Sequence, residues 1–239
     1  MILPNVRASF GRAEAAALLG LLSEGDSRAR DRLDDRLREE GFDAILDDPR
    51  TLNAALTAPA SAVTPRLLFY LLVRHALLEG GIDDRTLTDY IAALLLSFGR
   101  DDRAYRVDDH HPDRFLYLVD LVAAMDTPDG RQQFLVRAHL GNFALWLTGI
   151  FPDWVTARVQ RRGAPSLEYY EEMGASGYRA AAQTAIASEH GLDRVLRAAA
   201  DTFPDLRVAL NRVSDRYLFP TAAGSINRLL RRVSDGFDR

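Results

Sequence analysis

Thr64-Pro65-Arg66-Leu67-Leu68-Phe69-Tyr70-Leu71-Leu72-Val73-Arg74-His75-Ala76-Leu77-Leu78-Glu79-Gly80-Gly81 is the stretch on which the fold turns. A threonine followed by proline marks a helix start, because the hydroxyl accepts a free backbone N–H and proline tolerates the first helical position. The glycine pair marks the stop. Residues 65–79 are therefore predicted to form one helix. Apolar side chains cover nearly its whole circumference, the signature of a helix buried at the centre of a core. The unbroken run Leu67 to Val73 is far shorter than the ~20 residues needed to cross a bilayer.

The same punctuation recurs outward from this helix. Asp48-Pro49 and Thr127-Pro128 repeat the start signal, and Gly41, Gly99, Gly163 and Gly191 repeat the stop. No stretch alternates apolar and polar residues in the manner of a strand, and no Asn-Gly or Asp-Gly hairpin signal joins two apolar runs. The predicted class is all-α: a bundle of about ten to twelve helices around the central apolar helix 65–79, with no significant β-sheet. Helices are predicted near 10–22, 27–40, 49–57, 65–79, 84–98, 112–125, 128–149, 152–162, 166–189, 192–201, 204–218 and 225–235. Helix 27–40 has only Ala29, Leu33 and Leu37 as a thin apolar stripe and is expected on the surface. Expected core partners of helix 65–79 carry Leu87, Tyr90, Ile91, Leu94, Leu95 and Phe98, then Phe115, Leu118, Val119 and Val122, then Phe134, Leu135, Ala138 and Leu145. Ala58 to Thr64 reads as a linker, giving a helical N-terminal arm over 1–60 and a main helical domain over 61–239. Asp- and Arg-rich Ser97 to Pro112 is a second candidate linker.

Composition removes much chemistry. The 239 residues contain no cysteine and no lysine, so all thirty cationic Lys+Arg positions are arginine. That excludes Schiff bases, a P-loop lysine, thiolate nucleophiles, disulfides and thiolate-bound metals. A net charge of -4, a pI near 5.8 and a mean hydropathy of -0.15 describe a globular chain with no global attraction to nucleic acid or anionic membrane. The apolar run Ala15 to Leu22 lies between Glu14 and Ser23-Glu24-Gly25, unlike a cleaved signal. A cytoplasmic location is expected.

What remains is carboxylate, hydroxyl, imidazole and guanidinium chemistry. Arg137, His139, Asn142 and Trp146 crowd one segment with Gly141 and Gly149, and the second tryptophan, Trp154, follows closely. At helical spacing His139, Asn142 and Trp146 share a face, which suits either the wall of a ligand pocket or a close helix crossing at Gly141. Arg74 and His75 interrupt the most apolar helix, where Arg74 needs a carboxylate such as Glu79 or Asp120, or converges with Arg137 on an anion. Asp108, His110 and His111 form the densest set of metal-ligand types, although adjacent residues seldom converge on one ion. Gly174-Ala175-Ser176-Gly177 reads as a close-packing site, with Glu168, Glu171 and Glu172 pairing with Arg158, Arg161 and Arg162. Residues 205–239 hold seven arginines against four aspartates, a local +3 that is the sole basis for nucleic-acid binding.

No Glu-x-x-His, His-Asp doublet or His-Glu-x-x-His is present, and no cofactor is called for. The expected function is non-catalytic: a helical protein binding a protein partner or a second copy of itself, with neither membrane nor nucleic acid as partner. The alternatives are a small-molecule or anion site around Arg74, His75, Arg137, His139, Asn142 and Trp146, or nucleic-acid binding by the arginine-rich C-terminal helices.

Overall fold

The structure is a computed structural model that describes residues 1–100, 103–108, 114–125, 127–162 and 165–220. Among the described residues every regular element is helical, as the capping pattern requires. The chain divides into two compact units, Leu3–Leu96 and Ser97 onward with Met1–Ile2.

The first unit contains α1 (Arg12–Ser23), α2 (Ser27–Glu40), α3 (Phe42–Leu46), α4 (Pro49–Thr57), α5 (Pro65–Glu79) and most of α6 (Arg85–Phe98). The start signals work as chemistry dictates: Thr64 Oγ1 accepts from the Leu67 N–H at 3.3 Å, and Asp48 Oδ1 accepts from the Arg50 N–H at 2.9 Å. Gly81, at φ 80°, supplies the left-handed residue that turns the chain after α5. Leu67, Tyr70, Leu71, Leu72, Val73, Ala76 and Leu77 of α5 are buried, while α2 buries only Leu33 and remains a surface rod. The unit boundary falls at Leu96/Ser97. Within the first unit the short α3 supplies, at its end, the groups that satisfy the polar residues of α5.

The second unit contains α7 (Leu118–Ala123), α8 (Gly130–Ile150), α9 (Pro152–Arg162), α10 (Leu167–Ala182), α11 (Ala185–Glu189), α12 (Asp193–Asp201) and α13 (Phe203–Val213). Its centre is α8, buried from Phe134 to Ile150 except at a few positions. Small residues bring neighbouring helices close. A Cβ at Gly177 of α10 would lie 2.8 Å from the Arg137 carbonyl oxygen of α8, and one at Gly149 would lie 2.8 Å from Leu210 of α13. The last carbonyls of α8 are then closed from outside the helix. Asn211 Nδ2 donates to Thr148 O and Gly149 O, both at 2.8 Å, and Ser214 Oγ donates to Ile150 O at 2.7 Å. Thus the helix end is satisfied although it is buried. Beyond it the chain bends by 90° into α9.

Several boundaries differ from expectation for local reasons. α8 starts after Asp129, whose carboxylate accepts from the Arg131 N–H at 2.9 Å, and not at Thr127-Pro128; the charged cap also meets the positive helix end. The helix predicted over 166–189 breaks after Ala182, because Thr184 Oγ1 accepts from the Ala187 N–H at 3.2 Å and opens α11. The helix predicted over 112–125 contracts to α7. Phe115 instead donates its N–H to the Tyr105 carbonyl at 2.8 Å, and Tyr117, the residue before α7, is extended. The helix predicted over 204–218 stops at Val213 and continues as a π-helical turn, Ser214–Leu218. The helix predicted over 225–235 lies outside the described residues.

Candidate functional site

The polar interruption of α5 resolves into a charge network in the first unit. Arg74 is fully buried. Its Nε donates to Asp47 Oδ1 at 2.7 Å, and its Nη2 donates to Asp47 Oδ2 at 2.8 Å and Asp83 Oδ1 at 2.6 Å. The partners are therefore not Glu79 or Asp120. Arg85 also reaches Asp47 at 2.5 Å, and Arg7 Nε holds Asp43 at 2.7 Å. Burial by itself would raise the Asp47 carboxyl, but the Arg74 and Arg85 guanidiniums hold it below the usual aspartate value. His75 Nε2 lies 3.0 Å from the Leu46 carbonyl oxygen and so carries the proton; burial lowers its pKa against that hydrogen bond. Both residues singled out on α5 are thus engaged by α3 and its C-terminal residue, with Asp47 gripped on both oxygens. An open groove of about 920 Å³ lies between α1, α2 and α4 of this unit, and the Arg50 lining it is already paired with Asp48 at 2.8 Å.

Arg137, His139, Asn142 and Trp146 all lie on α8 in the second unit. Asn142 Oδ1 accepts from the Tyr178 hydroxyl of α10 at 2.9 Å, beside the crossing at Gly141 and Gly177. His139 is buried among rings: Phe98 at 5.4 Å and Phe143 at 6.3 Å between centroids. Trp146 joins the cluster with Phe98 at 5.7 Å, Phe143 at 6.1 Å and Phe151 at 5.0 Å. Burial drives the His139 pKa down to about 3, further lowered by Arg103 and offset by a hydrogen bond to the Ala104 backbone. Its Nε2 has no hydrogen-bond partner. The ring is therefore a neutral base with one nitrogen turned to apolar surroundings.

The remaining sequence candidates fare unevenly. Asp108 is half-buried with Arg131 Nη2 at 4.0 Å, whereas His110 and His111 lie outside the described residues. Among the described residues no three His, Asp or Glu side chains are placed to hold a metal ion. Of the C-terminal arginines, Arg207 is buried and bonded to Glu171 and Asn211, so it offers nothing to a polyanion. Arg228, Arg231, Arg232 and Arg239 lie outside the described residues.

A surface feature of the second unit went unread in the sequence. Leu116, Tyr117, Val119 and Trp154 are 52, 52, 61 and 45% exposed. Arg158 stacks over Trp154 at 4.5 Å and over Tyr117 at 5.5 Å, joining α9 to the segment before α7. Of the expected pairing of Glu168, Glu171 and Glu172 with Arg158, Arg161 and Arg162, the Arg158 part does not form: Glu171 bonds to Arg207 and Arg158 turns to the two rings, while the Arg161 and Arg162 side chains lie outside the described residues. Val119, expected in the core, faces outward because Leu118 and Leu121 take the inner face of the shortened α7. The readable signal was Trp154 and Arg158 at i and i+4, a spacing that superposes them on a helix surface.

Compared with known proteins, the chain matches no family model, no curated protein and no solved structure. The class that fold and site define is accordingly structural: an all-helical protein of two compact units, the second bearing an aromatic and arginine surface patch. Among the described residues no single helix is long and apolar enough to cross a membrane.

Proposed function

We propose that this chain is a non-catalytic protein that acts by binding another protein through the second unit. The observation that carries the reading is the exposed pair Tyr117 and Trp154 under Arg158, with Leu116 and Val119 exposed on the neighbouring segment and α7. Large apolar side chains held at a surface are disfavoured in a monomer without a use for them. Tryptophan, tyrosine and arginine are also the residues that dominate measured interface energetics. Supporting the non-catalytic side, Asp47, His75 and Asp89 of the first unit, three of the groups shifted in pKa, are each held by hydrogen bonds within that unit.

The test is native mass spectrometry of the protein isolated from its own host, alongside a Leu116→Ser, Val119→Ser, Trp154→Ser triple variant. The expected outcome is a bound partner lost in the variant with the helical circular dichroism unchanged. A partner retained in full by the variant overturns the assignment to this surface.

One observation favours a second reading, a small-molecule site against α8: the unpartnered His139 Nε2 beside Phe98, Phe143 and Trp146. A neutral imidazole acceptor in an aromatic enclosure suits a ligand with one donor and an apolar body. The same mass spectra test it, through a small adduct that disappears in His139→Gln.

A further inference from the structure

We infer that Tyr117, Trp154 and Arg158 form a carboxylate-recognising centre, and that its occupant is an acidic segment of the partner protein: a glutamate or aspartate flanked by apolar residues. The inference rests on the protein-binding reading and adds the chemistry of the partner.

Arg158 stands apart from the other half-buried or buried arginines of known partnership. Arg7, Arg36, Arg74 and Arg207 each hold a carboxylate of this chain. Among the described residues Arg158 holds none: it lies over the Tyr117 and Trp154 rings, its charge also acts on Tyr170, and its Nε is buried without a hydrogen-bond partner. A guanidinium over ring faces still donates in its own plane; with Nε buried, the two Nη groups are the donors left for a carboxylate. The rings also exclude water from one side of the cation, which strengthens its attraction to an incoming anion. Charge along α9 agrees. Its sequence has Arg158, Arg161 and Arg162 against Asp153 alone, a positive helix in a chain of net charge -4. Leu116, next to Tyr117 in the chain, and Val119 on α7 are exposed apolar side chains of the same unit that a flanking aliphatic residue could cover.

A second copy of this chain is the competing occupant: two-fold association pairs residue i of one copy with residue j of the other, so a second copy would have to set one of its own carboxylates opposite Arg158.

The experiment uses the full chain and a fluorescein-labelled peptide repeating glutamate, leucine and glycine, with a glutamine-for-glutamate counterpart as control, read by anisotropy. The expected result is saturable binding of the glutamate peptide, roughly tenfold weaker for the control. Arg158→Gln and Trp154→Ala should each weaken the glutamate peptide about tenfold while leaving thermal unfolding nearly in place. Equal binding of both peptides, or unchanged affinity in Arg158→Gln, overturns the carboxylate assignment. So does sedimentation with phosphatidylserine vesicles in the absence of peptide binding, which would make the anion a lipid headgroup. Dimerisation abolished by Arg158→Gln would make the occupant a second copy and overturn it equally. The two proposals fail separately: a partner lost in the Leu116, Val119 and Trp154 triple variant keeps the protein-binding reading even where the peptides show no preference for glutamate.

Discussion

The two central helices treat a buried polar side chain in opposite ways. α5 places a full charge, Arg74, at its heart and surrounds it with Asp47 and Asp83, with Arg85 and Asp43 extending the network. α8 places a neutral base, His139, among phenyl and indole rings and leaves one nitrogen without a partner. The first arrangement makes the fold depend on ions staying ionised, and the second makes it depend on an imidazole staying neutral. Both depend on pH, but through different protons, and close packing between helices is the second unit's particular demand.

Removing the charge at the centre of α5 should have the largest effect. Arg74→Met leaves Asp47 held by Arg85 alone, so urea denaturation should show a loss of about 3 to 5 kcal/mol, the range found when one member of a buried pair is deleted. A loss below about 1 kcal/mol would mean that the network adds little and that the apolar surface of α5 holds the unit by itself.

In the second unit the corresponding break is steric. Gly177→Ala directs a methyl at the Arg137 carbonyl oxygen, a backbone atom that moves only if α8 and α10 separate. An overpacking cost of about 1 to 3 kcal/mol is expected, read as a lower Tm. The same substitution at Gly130, where a Cβ meets nothing within 4 Å, is the control and should leave the Tm in place or raise it slightly.

Acid sharpens the contrast by sign. The His139 pKa, about 3 when folded against an ordinary 6.5, is lowered, so the unfolded chain takes up its proton first. Stability contributed by keeping the ring neutral is whole above pH 6.5 and falls as the pH drops toward 3, at up to about 1.4 kcal/mol per pH unit. Asp48 behaves differently. Hydrogen bonding from Arg50 holds its carboxyl at about 2 against the burial that would raise it. Its contribution is present above the ordinary aspartate value of 3.8 and is lost only as the pH falls from there through about 2. Tm measured from neutral pH down to about pH 4.5 should therefore decline through His139 and, to a lesser degree, His75, and become shallower in His139→Gln, with Asp48 still ionised. An identical decline in the variant would place the acid-sensitive proton elsewhere.

These contrasts also show what the sequence revealed. Caps and glycine stops are local chemistry, so α2, α4, α5 and α9 are readable to the residue from Ser27–Glu40, Pro49–Thr57, Pro65–Glu79 and Pro152–Arg162. The aromatic and histidine crowding on α8 is readable for the same reason, since helical spacing fixes its faces. What was not readable depends on tertiary neighbours. Arg74 needed a carboxylate, and nothing along the chain pointed to Asp47, brought to it by the overlooked five-residue α3. Glu171 lies close to Arg158 in sequence yet bonds to Arg207, which the fold delivers from 36 residues further on. Val119 looked like core because its helix was drawn too long.

The smallest expected stability effect falls on the residue with the most to say about function. Among the described residues Arg158 has no carboxylate to lose, and it lies over the exposed rings of Tyr117 and Trp154. Arg158→Gln should therefore shift unfolding by less than about 1 kcal/mol, the value of a surface cation over a ring. Set beside Arg74→Met in the same denaturation series, it separates a guanidinium needed by the fold from one left free for a partner. A loss for Arg158→Gln as large as that for Arg74→Met would show that the aromatic stack holds α9 in place. The exposed patch would then be a structural joint, and the protein-binding surface would have to be sought elsewhere.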